Sequence, residues 1–226
     1  VRAAIEMAHL TRLDFAIGSA GLMRQALTQA IHHTTHRRAF QRALVDQPMM
    51  RNVLADLAIE SEASTVLAFR LARAFDAGQR GDTTAHLLQR IVTPVAKYWI
   101  CKRAPVFVHE ALECHGGNGF IEEHVMARLY REAPLNGIWE GSGNMIALDV
   151  LRAIRREPDT VTVLLAEMRK ARGGDRRLDA FVDRLETEIH VHKDVETGGR
   201  RVAEMMTLAM QGALLVQHSS AIVADG

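Results

Sequence analysis

Apolar residues recur at helical intervals along almost the whole chain, and this spacing limits its fold more than any other feature. From Ile5 to Arg37, Leu10, Leu13, Ile17, Ala20, Met23, Leu27 and Ile31 follow a period close to 3.6 and define one face of a long helix. Asp46-Gln47-Pro48 is a start signal, since proline is tolerated in a first turn. A second helix is predicted from Met49 to Asp76, with Leu54, Leu57, Ala58, Ala68, Leu71, Ala72 and Phe75 inward, closed by Gly78 to Asp82. Thr83 to Cys114 reads as a third helical segment, divided or kinked near Thr93-Pro94 and Pro105. Gly116 to Gly119 breaks it. A short helix then runs from His124 to Glu132, Pro134 ends it, and Asn144 opens another that reaches Ile154.

The pattern continues beyond Arg155-Arg156-Glu157-Pro158. Thr160 to Ala171 and Asp175 to His190 read as helices separated by Gly173-Gly174, and Gly198-Gly199 precedes a last apolar helix from Arg200 to Val223. The fold class is therefore all-α: an antiparallel helical bundle with a further helical extension, divided at 1–155 and 156–226. Nearly half of the 226 residues are apolar while aromatics are few, a composition that suits helix packing better than sheet packing.

Formal net charge is +1, which selects no class of partner. Cys101 and Cys114 lack metal or redox spacing, so a cytoplasmic chain with reduced thiols is expected. No stretch approaches a membrane span, and the N-terminus lacks signal-peptide shape. The chain starts in mid-helix without Met, so it is read as a fragment of a longer protein.

The segment Trp139-Glu140-Gly141-Ser142-Gly143-Asn144 carries the most chemistry. It sets a carboxylate between a large aromatic and a flexible glycine turn, just ahead of a helix. Ser142 or Asn144 can cap that helix, leaving free N–H groups for an anion or an electron-rich ring. A carboxylate there, with Trp139 excluding water, suits a base with a tuned pKa. Taken alone, the segment reads first as an N-cap preceded by a surface glutamate, since short Gly/Ser turns before helices are common.

Further motifs stand at ordered intervals: Arg37-Arg38-Ala39-Phe40, then Glu113-Cys114-His115-Gly116-Gly117-Asn118-Gly119-Phe120, then Arg128 to Pro134 ahead of Ile138-Trp139-Glu140-Gly141-Ser142-Gly143-Asn144. Together they resemble the C-terminal helical domain of the acyl-CoA dehydrogenase family, most closely its alkylation-response (AidB-type) branch. The resemblance is specific from about Arg12 to Ile154 and more diffuse to Asp225.

The resemblance implies an FAD-dependent oxidoreductase of fatty-acid metabolism. Its glutamate removes the α-proton of an acyl-CoA thioester while the β-hydrogen leaves as hydride to flavin. Glu140 matches that base, held in a dry pocket, and Gly141 lies beside the thioester. Arg37 and Phe40 match an Arg-x-x-Phe-Gly motif at the FAD pyrophosphate, although Gln41 replaces the glycine and Pro48 stands where many members carry a flavin-contacting Gln. Glu113, Gly116 and Gly117 match a segment that approaches the FAD of a neighbouring subunit, with Glu113 in place of the usual Gln. Ser142 and Asn144 match turn residues on the ribityl-phosphate side. Arg131 matches a structural arginine, expected to pair with Glu132 or Asp149.

The family implies a homo-oligomer, dimer or tetramer, with an electron-transfer flavoprotein or another acceptor. It also implies an N-terminal helical domain and a β-barrel, so this fragment alone is expected to be inactive. His32, His33 and His36 are expected to be surface or interface residues, and no metal is predicted. The alkylation-response branch adds the alternative of a DNA-binding flavoprotein with weak or vestigial dehydrogenase activity. Against it, Arg152, Arg155, Arg156, Arg169, Lys170, Arg172, Arg176, Arg177 and Arg184 interleave with Glu157, Asp159, Glu167, Asp175, Asp179 and Asp183. That is a weak field for phosphate contacts, and no aromatic stacking platform accompanies it.

Overall fold

A computed structural model describes residues 2–193 and 195–224. Val1, Asp194, Asp225 and Gly226 lie outside it, and with them the outer ends of the two expected regions. Three long helices form the frame: α1 (Arg2–His36), α2 (Pro48–Gln79) and α3 (Thr83–Glu113). Each packs against the other two, and short connections make them antiparallel neighbours.

The α1–α2 connection is a small hairpin, β1 (Arg38–Ala39) paired antiparallel with β2 (Arg42–Ala43), followed by a 3-10 turn. Its tip residues Phe40 (φ 51°) and Gln41 (φ 65°) both have left-handed backbone, as a tight hairpin turn of the type I′ class requires. Then come α4 (Gly117–Phe120), α5 (Val125–Glu132), a 3-10 turn at Leu135–Gly137, and α6 (Gly143–Arg156). The remaining residues form α7 (Asp159–Arg169), α8 (Arg176–His192), α9 (Gly199–His218) and α10 (Ala221–Ala224).

Helix α3 is the axis of the molecule. Residues 91–98 are buried on every side, because α1, α2, α6, α7 and α9 all pack on it. A helix surrounded in this way needs no polar face. That enclosure explains a departure from the sequence reading: α3 runs unbroken through Pro94 and Pro105. Each proline removes one backbone donor, and packing on all sides outweighs the local preference.

The face of α1 also differs from the one the spacing suggested. Leu13, Ala16, Ala20, Met23, Leu27 and Ala30 are buried, whereas Leu10, Ile17 and Ile31 are largely exposed. Small alanines bring α1 close to α3, and rotation toward them turns the larger residues out. One continuous apolar core runs from Leu13 to Leu214, so α7 and α9 share the core of α1–α3. Among the described residues no helix is long and apolar enough to cross a membrane.

Candidate active site

The turn between α5 and α6 is built against α1 and α3. Trp139 meets Phe15 of α1 edge-to-face, with centroids 5.5 Å apart. Asn136 donates to Ser19 Oγ at 3.2 Å, and Ser19 in turn donates to Cys101 Sγ at 3.4 Å. Glu140 (φ 51°) and Gly141 (φ 107°) both take left-handed backbone, and this kink aims the Glu140 side chain away from the core. A non-glycine residue holds such a conformation only when its surroundings impose it.

Two cations bond the backbone of the kink, and a third holds Asn144 beyond it. Arg12 Nε on α1 donates to the Glu140 carbonyl at 3.1 Å. Lys97 Nζ on α3 donates to the Gly141 carbonyl at 2.5 Å. Arg200 Nε on α9 donates to Asn144 Oδ1 at 2.7 Å. The sequence reading named none of the three. The helical spacing does place Arg12 and Lys97 among apolar neighbours, which was the available signal.

Arg12 belongs to a larger network. Its Nη1 lies 2.7 Å from Asp149 Oδ2, and Arg90 Nη2 lies 3.2 Å from Asp149 Oδ1, with Arg90 Nε also 3.0 Å from Glu157. Burial alone would raise the Asp149 carboxyl, but Arg90 and Arg12 hold it below the ordinary carboxylate range. His9 adjoins them and is pushed down to about 4 by burial and by Arg90.

Arg131, expected to pair with Glu132 or Asp149, instead contacts Glu122, with one donor 2.6 Å from its Oε2. Arg12 and Arg90 take Asp149, because they approach it from the packed interior while Arg131 sits on the exposed side of α5.

Two further expectations need correction. The Glu140 side chain is exposed in this chain, not enclosed in a dry pocket, and Trp139 is itself half exposed. Neither Ser142 nor Asn144 caps α6: Ser142 takes the cap position without a side-chain bond, and Asn144 is engaged by Arg200. The first-turn N–H groups of α6 therefore keep their donors free of a side-chain cap. Behind the turn is a cavity of about 250 Å³, bordered by Lys97, Tyr98, Cys101, Lys102, Ile138 and Gly143.

The other candidate residues gather at the far end of α1. His33 on α1 stacks on His115 at 4.8 Å, and His115 lies 4.9 Å from His124. Burial lowers both His33 and His115, with Arg37 acting next on His33. This joins the Arg37 end of α1 to the glycine segment after α3. His33 is thus half-buried in a stack, not a free surface histidine, and among the described residues no three potential ligands converge on a metal position.

Gly116 has φ +57°, and a Cβ there or at Gly117 would meet nothing within 4 Å. Their bare backbone is open to a visitor. Gly119 differs, since a Cβ would fall 2.6 Å from the Leu112 carbonyl. Glu113 is exposed, with His109 Nδ1 3.5 Å away, Arg37 is exposed, and Phe40 is 93% exposed.

Arg12 lies within α1 and Arg37 directly follows its last residue, 25 residues on, about 37 Å at 1.5 Å per residue. Glu140, Gly141, Ser142 and Asn144 are thus brought together at one end, and Arg37, Glu113, Gly116 and Gly117 at the other, with Phe40 on the hairpin beyond Arg37. No single chain unites the two groups.

Several basic residues of the extension are matched by acids. Arg169 contacts Glu186, Lys170 contacts Glu167, Arg172 contacts Asp183 at 3.1 Å, and Arg201 contacts Glu188 at 2.8 Å.

A family model described as "Acyl-CoA dehydrogenase, C-terminal domain" matches residues 1–155. The chain belongs to the acyl-CoA dehydrogenase family. Among curated relatives, it is 41% identical to a protein of Escherichia coli strain K12 named "Putative acyl-CoA dehydrogenase AidB", over 97% of this chain and 40% of that protein. It is 28% identical to "Acyl-CoA dehydrogenase family member 11" of Caenorhabditis elegans, over 95% of this chain and 38% of that protein. The chain thus spans about two fifths of the acyl-CoA dehydrogenase relatives it matches. A solved structure of the nematode ACDH-11 in complex with C11-CoA superposes with a TM-score of 0.83 at 26% identity, covering 96% of this chain and 40% of that one. Both relatives match beyond residue 155, so the likeness takes in the extension as well.

Proposed function

We propose that this chain is the C-terminal part of an FAD-dependent acyl-CoA dehydrogenase, in which Glu140 is the base that removes the α-proton of an acyl-CoA thioester. The observation that carries this reading is the turn itself: a glutamate held at φ 51° by cations bonded to its own and the next carbonyl. A surface N-cap has no need of that construction. The nematode relative's structure with C11-CoA supports a thioester as substrate.

The residues present fit a flavin. Uncapped N–H groups of α6, with Ser142 and the Asn144 amide beside them, offer donors to an anionic or carbonyl-rich ligand. Arg37 offers the planar fork that suits a pyrophosphate, and the open backbone at Gly116 and Gly117 admits close approach. Flavin, when bound, accepts the hydride. Glu140 then receives the α-proton, while Gly141 leaves room beside the thioester. Because the two groups of residues stand about 37 Å apart along α1, one cofactor would be served by two copies of the chain, which supports a dimer or a tetramer. By the same family resemblance, the electrons pass to an electron-transfer flavoprotein or another acceptor.

Glu140 is exposed in this chain, and a base of this kind works best with water excluded. The 226 residues alone are therefore not expected to oxidise acyl-CoA. The test uses the full-length protein and its Glu140→Gln variant. Flavin retained in both, with bleaching by acyl-CoA reduced at least about a thousandfold in the variant, supports the assignment. Equal bleaching places the base elsewhere.

A further inference from the structure

Lys97 is among the largest fully buried side chains of the described residues, only 1% exposed, and it is charged at its tip. Burying an ammonium group is costly unless a carboxylate or several acceptors compensate it. Among the described residues Lys97 has no ion-pair partner within 4 Å; its bond goes to the Gly141 carbonyl. Its neighbours are Tyr98, Cys101 and the cavity behind the turn, and burial lowers its pKa, with Cys101, Arg12 and Glu140 acting next. Nothing in the packing of α3 calls for a lysine here, since Val95, Ala96, Ile100 and Cys101 around it are apolar and buried. A methionine would fill the same volume at lower cost.

We propose that Lys97 is a positioning residue for the proton transfer: through the Gly141 carbonyl it fixes the left-handed kink that aims Glu140. This rests on the reading of Glu140 as the base. The mechanical argument is direct. Gly141 has the widest conformational freedom in the turn, so its peptide is where the turn would relax. Arg12 restrains the carbonyl before it while also engaged by Asp149, and Arg200 restrains Asn144 beyond it from the exposed side. Lys97, 1% exposed, is the most deeply buried of the three donors, stands on the central helix, and makes the shortest of the three bonds. A donor that a rigid helix supplies to a flexible carbonyl narrows the range of Glu140 positions without touching substrate or cofactor. The lost freedom is needed for a near-attack geometry, where displacements of about 1 Å alter rates about a hundredfold.

The experiment uses the flavin-loaded full-length protein with C11-CoA, the thioester in the nematode relative's structure. Lys97→Met, Lys97→Gln and Glu140→Gln are compared with the parent by rapid-mixing measurement of flavin bleaching. Lys97→Met is expected to lower the bleaching rate at saturating thioester about ten- to a hundredfold, with the half-saturating concentration and flavin content unchanged. Lys97→Gln keeps an N–H donor near the carbonyl without the charge, and is expected to recover most of that loss. If Lys97→Met does not fold, the Gln variant carries the test against Lys97→Leu in the same assay. The proposal is overturned if the uncharged variants bleach like the parent while Glu140→Gln is dead. It is also overturned if rate, half-saturation and flavin content fall together and the Gln variant gives no recovery, since that is general loosening. Should Glu140→Gln itself bleach normally, the assignment of the base fails, a result distinct from either.

Discussion

Gly116, Gly117 and Gly119 stand within four residues of one another and answer to different demands. A side chain at Gly119 meets the Leu112 carbonyl and the His115 Cβ, so Gly119→Ala is expected to cost about 1–3 kcal/mol of stability, read as a lower denaturant midpoint. Gly117→Ala meets no atom of the chain and is expected to leave that midpoint within about 0.5 kcal/mol. If the Gly117 backbone faces flavin, the same change lowers flavin retention. The motif alone could not separate these roles, because all three residues read as one glycine-rich break. Side-chain pairing was the least legible feature of the sequence. The sequence suggests Glu132 or Asp149 for Arg131, while Arg12 and Arg90, which hold Asp149, are 137 and 59 residues away from it. A pairing at that separation depends on which helix faces which, and spacing does not encode it.

Among the elements, long helices declared themselves and their orientations did not. The expected starts and ends of α2, α5 and α8 fall within three residues of those observed, because Pro48, His124 and Asp175 mark real helix starts. On α1 the spacing finds Leu13, Ala20, Met23 and Leu27 inside but also draws in the exposed Leu10, Ile17 and Ile31, because Ala16, Ala26 and Ala30, which count little in a hydrophobic pattern, take the buried positions between them. Prolines 94 and 105 were given more weight than an enclosed helix allows. The contact between α9 and α6 could not be foreseen either. Gly199 lies so near Leu151 that an added Cβ would approach it to 3.0 Å, and Arg200 follows directly onto Asn144. The extension thus reaches the candidate active site. Arg200→Ala is expected to leave the helical content intact while weakening flavin retention of the full-length protein about three- to tenfold, the scale of one exposed hydrogen bond of roughly 0.7–1.4 kcal/mol. Unchanged retention would show that Asn144 needs no such support.

For the molecule as a whole, the network of His9, Arg12, Arg90, Asp149 and Glu157 ties α1, α3 and α6 together and sets a response to acid. His9 titrates near 4 when folded and near 6.5 when unfolded. Above about pH 6.5 neither state holds its proton. As pH falls from 6.5 toward 4 the unfolded chain takes up a proton that the folded one declines, so stability drops through that window by up to about 3 kcal/mol. Asp149 adds a further loss at lower pH, because its carboxylate, charged in the folded state, must then be protonated. Thermal unfolding of His9→Phe between pH 7 and 4 should show a shallower decline than the parent. An identical slope would remove His9 from the acid response.

The length of α1 has a genetic corollary. With Arg37 directly past its C-terminal end and the Glu140 turn held by Arg12 several turns away, a protein altered at one position keeps the other intact. Co-assembly of Arg37→Ala subunits with Glu140→Gln subunits would then regenerate some wild-type centres and restore bleaching that neither homogeneous preparation shows. A mixture as inert as its parts would mean that each copy works alone.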